Sequence, residues 1–228
     1  AYHKIGFNFV DQKQYKQAIA PLKKAVGLNP NFTKALYELG NAYNQLNQYQ
    51  KAIESLTQVV QINDSHAKGH LGLGLAHTKL KQYDQTIIHL QKALNLNPNF
   101  TRAYYPLGLS LMKVGRLEDA YIPLSKTLTD NPDYPSVQNQ IGMGFWKLKK
   151  YTKAVNSFKK AIQSDPSFTT PYFNLGSLST SLGNHEQAIH YLEGGIKREP
   201  DNPKAHYNLG LVYDILGRYQ DAVGEYRK

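Results

Sequence analysis

Apolar residues fall at helical spacing on both sides of a short polar break in ALYELGNAYNQLNQYQKAIESLTQVV (35–60). Such spacing predicts two amphipathic helices joined by a tight turn. The pattern recurs. LNPNF stands at residues 28–32 and again at 96–100, and half of that separation, 34 residues, is the period of the chain. Glycine occupies Gly6, Gly40, Gly74, Gly108, Gly142, Gly176 and Gly210, each preceded by Ile or Leu. Twelve places after each glycine come Ala18, Ala52, Thr86, Ala120, Ala154, Ala188 and Ala222. Four places further on come Leu22, Leu56, Leu90, Leu124, Phe158, Leu192 and Tyr226. Pro30, Asp64, Pro98, Pro132, Pro166 and Pro200 close the repeats. The residue after each, Asn31, Ser65, Asn99, Asp133, Ser167 or Asp201, is of a type that caps helix N-termini and is expected to do so here.

Glycine inside a helix costs about 0.5–1 kcal/mol relative to alanine. Its recurrence therefore predicts a close helix–helix approach, with Ala18, Ala52 and their equivalents as the matching contact on the second helix. One such pair cannot bury its apolar face, so neighbours must stack. An aromatic, Leu-Gly, a small Ala, a large apolar residue and a closing Pro, repeated in register, resemble the tetratricopeptide repeat family over the whole chain. The resemblance implies an all-α fold, a right-handed superhelical solenoid of antiparallel helix pairs with one concave face. The expected organisation is a single array of seven repeats: 1–32 (partial), 33–66, 67–100, 101–134, 135–168, 169–202 and 203–228 (partial). Thr86, His77, Ser179 and His185 depart from the pattern. Pro21, Pro106 and Pro123 fall inside predicted helices, where proline removes a hydrogen bond and tends to kink.

Composition narrows the chemistry. There is no cysteine, which excludes disulfides, thiolate nucleophiles and cysteine-ligated zinc. No apolar run is long enough to span a membrane, and the start does not read as a signal peptide. No catalytic constellation stands out. The glycines of GHLGLGLAH (69–77) follow no strand, as a phosphate loop would require. His66 and His70 are four apart but lack a third ligand, and they read as two partly exposed side chains. His77 reads as filling a core slot, and His185 and His190 face different ways. No serine sits in a GxSxG elbow, and Glu118 and Asp119 read as solvated. A non-catalytic chain with no cofactor and no metal is expected. The net charge of +10 places Lys147, Lys149, Lys150 and Lys153 at one turn and Lys23, Lys24, Lys92, Lys126, Lys159 and Lys160 on the second helices. These read as a solvated face, with single-stranded nucleic acid as the competing reading.

In the family, first helices line the concave groove. By register the resemblance implies as lining Lys34, Tyr37, Glu38, Asn41 and Asn44; Lys68, Leu71, Leu75 and Lys79; Arg102, Tyr105, Leu109, Met112 and Lys113. Further along the chain it implies Asn139, Gln140, Met143, Trp146 and Lys147; Phe173, Asn174, Ser177 and Thr180; Lys204, Tyr207, Asn208, Leu211 and Asp214. Leu75, Leu109, Met112, Met143 and Trp146 read as an apolar strip rimmed by Lys79, Arg102, Lys113 and Lys147. Such a strip suits a protein or peptide with apolar anchors and acidic flanks. The clamp by which some family members hold a chaperone's terminal Asp is not matched. In its best register Asn174 and Lys204 agree, while Asn139, Met143 and Asn208 replace the other members. The expected function is a protein-interaction scaffold. The alternatives are a nucleic-acid-binding solenoid and the targeting region of a larger enzyme such as a glycosyltransferase. The chain starts and stops inside a repeat, as expected of a fragment or of ends that self-associate. A soluble chain of cytoplasm or periplasm is expected, and its Asn, Lys and Tyr usage leans bacterial.

Overall fold

The computed structural model describes residues 1–228, apart from the side chain of Asp130. Among the described residues there are fourteen α-helices and no strand. They are α1 (Tyr2–Asp11), α2 (Tyr15–Leu28), α3 (Thr33–Gln45), α4 (Tyr49–Ile62), α5 (Ala67–Lys79), α6 (Tyr83–Leu96) and α7 (Tyr104–Lys113), the last preceded by a 3-10 turn, Thr101–Ala103. After them come α8 (Leu117–Asp130), α9 (Pro135–Lys147), α10 (Tyr151–Ser164), α11 (Thr170–Ser181), α12 (His185–Ile196), α13 (Pro203–Ile215) and α14 (Tyr219–Tyr226). The helices group into two compact units, Ala1–Pro123 and Leu124–Lys228, with the boundary inside α8.

In the first unit each helix from α1 to α7 packs on the next, and α1, α3, α5 and α7 also pack on one another in sequence. The second helices α2, α4 and α6 make no such contacts among the described residues. First helices therefore form the closely stacked layer and second helices the outer one. A core of Ala18, Leu22, Leu39, Ala42, Tyr43, Ala52, Leu56 and Leu73 runs between the layers. Helices of this length are marginal in water, so burial of these faces holds them. The second unit repeats the scheme, with α9, α11 and α13 in contact in sequence. Its cores gather around Ala154, Phe158, Leu175 and Leu178, and around Ala188, Leu192, Leu209 and Val212.

The repeat glycines do mark close approaches, but the partner differs from the alanine expected. A methyl group on Gly40 would lie 2.5 Å from Leu56 Cγ, and one on Gly142 would lie 2.6 Å from Phe158 Cδ1. The large residue sixteen places on enters the notch that the missing methyl leaves, while Ala18, Ala52 and Ala154 are buried in their own right.

The capping expectation is corrected. The helices that follow the inter-repeat turns have Phe32, His66, Tyr134, Thr169 and Asn202 as N-caps, so Asn31, Ser65, Asp133, Ser167 and Asp201 lie one or two places too early, and Asn99 precedes the cap Phe100 of the 3-10 turn. The turn is closed from the preceding helix. Oδ1 of the C-cap residues Asn29, Asn63, Asn97 and Asp165 accepts from the backbone N–H two residues on, at 2.9–3.1 Å. Those hydrogen bonds occupy the N–H groups of the residues expected to cap.

Pro106 does not kink a helix. The opening turn of its repeat is 3-10, and α7 begins only at Tyr104, which puts Pro106 in the first turn, where a missing N–H has no internal acceptor to lose. Pro21 and Pro123 lie inside α2 and α8, which run on through them.

The turn within each repeat was not anticipated. Residues 13, 47, 81, 115, 149, 183 and 217, again 34 apart, all have positive φ, and four of them are Lys13, Asn47, Lys81 and Lys149 at φ 57–59°. Each closes a Schellman pair; Asn47 N–H donates to Asn44 O at 3.1 Å and Gln48 N–H to Tyr43 O at 2.9 Å. A left-handed backbone costs a lysine about 1–2 kcal/mol, while glycine gives back part of that through the unfolded chain. Lys81→Gly is therefore expected to raise stability by about 0.5–1 kcal/mol in urea unfolding; a loss of stability would show that the backbone there is not left-handed.

Candidate functional site

The first-helix layer of the first unit holds a pocket of about 140 Å³ between α3 and α5, closed at one side by Arg102. Tyr37, Asn41, Asn44 and Gln45 come from α3; Lys68, Gly72 and Leu75 come from α5; Leu56 of α4 forms the floor. Gly72 opens the space, because a methyl there would lie 2.9 Å from Leu56 Cδ1. Asn44 Nδ2 donates to Gly72 O at 3.0 Å, and since a carbonyl only accepts, the amide orientation is fixed. Asn44 Oδ1 is thereby left buried with no hydrogen-bond partner among the described residues.

Charge around the pocket is uneven. Lys68 and Arg102 are exposed, and neither makes an ion pair among the described residues. Burial raises the pKa of the Glu38 carboxyl, against the pull of Lys68 and a hydrogen bond from Asn41. Burial likewise raises that of the Tyr37 hydroxyl, with Glu38 adding to it and Arg102 opposing. The Tyr37 ring lies 5.2 Å from that of His66, whose Nδ1 accepts from Gly69 N–H at 2.9 Å. The pocket and its surroundings thus bring together two cations without an ion pair among the described residues, the Glu38 carboxyl on which Lys68 pulls, the Asn44 Oδ1 acceptor and an apolar wall at Leu75.

The other residues expected to line a groove are placed as follows. In the first unit Tyr105 and Leu109 are half-buried and Lys79 and Lys113 exposed, but Leu71 and Met112 are buried. In the second unit Met143 and Trp146 are half-buried against the core, Trp146 meeting Phe158 edge-on at 6.4 Å, and Lys147 is exposed. Asn139 is buried, and its Oδ1 accepts from Asn174 Nδ2 at 2.8 Å, so these two amides join α9 to α11. Phe173 packs on the core of α12 and α13. Asn208 is half-buried, and Lys204 and Tyr207 are exposed. Leu71, Met112 and Asn139 are thus corrected from surface to interior, because contacts between successive first helices consume part of the face that the register assigned to the groove. Sequence reasoning passed over Gly72. Its signal was a second glycine beside the repeat glycine in GLG (72–74), with no structural duty of its own.

One histidine also moves, and another stays where it was expected. His70 is buried, where partial exposure was expected, and His77 is buried in its core slot. No helix among the described residues is long and apolar enough to cross a membrane.

Comparison with known proteins fits this architecture. A crystal structure of MamA shares 29% identity, covers 71% of this chain and 95% of its own, and superposes with a TM-score of 0.63. A second crystal structure of MamA gives 29%, 72%, 90% and 0.65 in the same order. YrrB, described as a TPR protein with an unusual peptide-binding site, shares 21% identity over 81% of this chain and 95% of its own, with a TM-score of 0.73; at that identity the likeness is one of fold. No curated protein matches the chain. Tetratricopeptide repeat models match residues 9–72, 67–100, 135–168 and 175–228, in step with the helix pairs and the glycine notches, and the chain belongs to the tetratricopeptide repeat family.

Proposed function

We propose that the chain is a non-catalytic interaction scaffold that captures a peptide segment of a partner on its first-helix layer, and that the α3–α5 pocket takes an acidic side chain flanked by apolar anchors. The observation that carries this reading is the buried Asn44 Oδ1, without a partner among the described residues, in a pocket also lined by Lys68 and Arg102, for which no ion pair is found among those residues. A buried acceptor left unsatisfied costs about 1–3 kcal/mol, and a peptide N–H would recover that. The cations would meet the carboxylate, and Leu75 and Tyr37 would meet the anchor. In the second unit Met143 and Trp146, with Lys147 beside them, offer a further apolar contact.

A random peptide library panned on the chain, eluted with rising salt, tests this directly. Enriched peptides are expected to share an acidic residue next to an apolar one and to stay bound at moderate salt. Arg102→Ala is expected to weaken them about fivefold, the scale of one exposed charge-assisted contact. Enrichment without acidic residues, or unchanged affinity in the variant, would count against the pocket. The exposed lysines of the second helices keep nucleic acid as the competing reading. Its mark would be binding of single-stranded RNA that collapses steeply with salt.

A further inference from the structure

Three histidines of the 67–100 repeat come together across two helices. His70 Nδ1 faces His89 Nδ1 at 3.1 Å. The His77 ring stacks on that of His89 with centroids 5.5 Å apart and planes 3° from parallel. His70 Nε2 lies 3.0 Å from Asp64 O, a carbonyl that only accepts, so that nitrogen carries a hydrogen. His77 Nδ1 is 2.6 Å from Oε1 of Gln82, the N-cap of α6. With His70 Nε2 donating, a neutral His70 accepts at Nδ1 and His89 donates. One added proton leaves a single hydrogen between the two Nδ1 atoms. A second places hydrogen on both, and the contact becomes a repulsion between two charged rings. No group of three or more side chains there has metal-site geometry among the described residues.

We propose that the His70–His77–His89 cluster is a proton-sensitive latch that holds α5 against α6 near neutral pH and loosens the pair on acidification. Its surroundings do not offset added positive charge. Among the described residues Asp64 is the carboxylate within ion-pair distance, 3.5 Å from His70 Nε2, and it is already paired with Lys92, while Asp84 in the first turn of α6 is exposed. Lys68 adds positive charge from the start of α5, and burial first, then His70 and Lys68, hold the pKa of His66 below its ordinary value. The charged residues of α4, Lys51 and Glu54, are exposed, as are Arg102 of the 3-10 turn and Lys113 of α7; α3 contributes Lys34 and the half-buried Glu38. His70 and His89 line an open cleft with Asp64 and Lys92, so protons reach them. Burial first, then His70 and His77, lower the pKa of His89 from 6.5 to about 4. A histidine whose folded pKa is depressed contributes stability that is full above about 6.5 and lost as the pH falls to about 4.

The chain carries its own contrast. Four repeats on, His206 stands in the register of His70 and Glu225 in that of His89. His206 Nε2 is 2.7 Å from Pro200 O and its Nδ1 2.6 Å from Glu225 Oε2. Both ring nitrogens there face acceptor oxygens, whereas in the 67–100 repeat His70 Nδ1 faces a second imidazole.

The test is thermal unfolding between pH 7.5 and 4.5 of the native chain, His89→Glu and His89→Gln, with imidazole titrations of the native chain followed by NMR. The native midpoint is expected to fall as the pH drops from about 6.5. His89→Glu copies the His206–Glu225 pair and is expected to reverse that slope above the carboxylate range. His89→Gln keeps a neutral partner for His70 and is expected to flatten it. Within the native chain the His89 ring should titrate near 4. Equal slopes in all three proteins, or a His89 midpoint near 6.5, would overturn the latch. Because α5 also carries Lys68, Gly72 and Leu75, its loosening would take the pocket apart; that consequence rests on the peptide reading, whereas the latch stands or falls on these measurements alone.

Discussion

Phe158→Ala is expected to destabilise the second unit by about 3–5 kcal/mol, the range for deleting a fully buried aromatic. Phe158 has no exposed surface. It fills the notch at Gly142, receives the edge of Trp146, and joins Ala154, Leu175 and Leu178 in one cluster. Leucine occupies the same register in Leu22, Leu56, Leu90 and Leu192, so Phe158→Leu is a change that the repeat geometry accommodates and should cost only about 1 kcal/mol. Urea unfolding measures both, and the fluorescence of Trp146, the one tryptophan of the chain, reports directly on the α9–α10 contact. A loss under about 1 kcal/mol for the alanine variant would mean that the cluster closes over the space and that the glycine notch does not organise the helix pair.

Gly74→Ala is expected to cost up to about 2 kcal/mol even though alanine is the better helix former. A methyl at Gly74 would lie 2.6 Å from Leu90 Cγ and 3.2 Å from its backbone nitrogen. Cγ cannot swing aside as a terminal methyl can, so either Leu90 leaves its rotamer or the helices part. Overpacking of that kind costs about 1–3 kcal/mol, offset by about 1 kcal/mol of helix propensity. The Leu90→Ala background isolates the cause. Leu90 is fully buried, and its truncation alone should cost about 2–5 kcal/mol. In that background Gly74→Ala should become neutral or stabilising, because the methyl then enters a vacated notch. Additive losses in the double variant would put the cost of Gly74→Ala somewhere other than Leu90.

The helix pairs, their period and the close approach at Gly6, Gly40, Gly74, Gly142, Gly176 and Gly210 were legible because each is written as a residue type at a fixed spacing. The identity of the glycine's partner was not. Both Ala52 and Leu56 recur at that period, and only the packing shows that Leu56 reaches Gly40. The left-handed turn residue was hidden for another reason. Its register reads Lys13, Asn47, Lys81, Gly115, Lys149, Gly183 and Gly217, so the residues that advertise positive φ occupy only part of it. The exposure of individual first-helix residues was not legible. An offset along one helix identifies a face, but not how much of that face the next first helix covers, which is why Asn139 was assigned to the surface and is found bonded to Asn174. His70 and His89 lie nineteen residues apart on different helices, and nothing in either residue alone announces the other.

The α3–α5 layer is proposed to hold a peptide. The most direct test is photo-crosslinking of library-selected peptide to the chain carrying a photoreactive residue at Leu75, in the pocket, or at Ile88, exposed on α6. Capture of an acidic peptide from position 75, and none from position 88, is expected. Capture from position 88 instead, or from neither, would contradict that proposal.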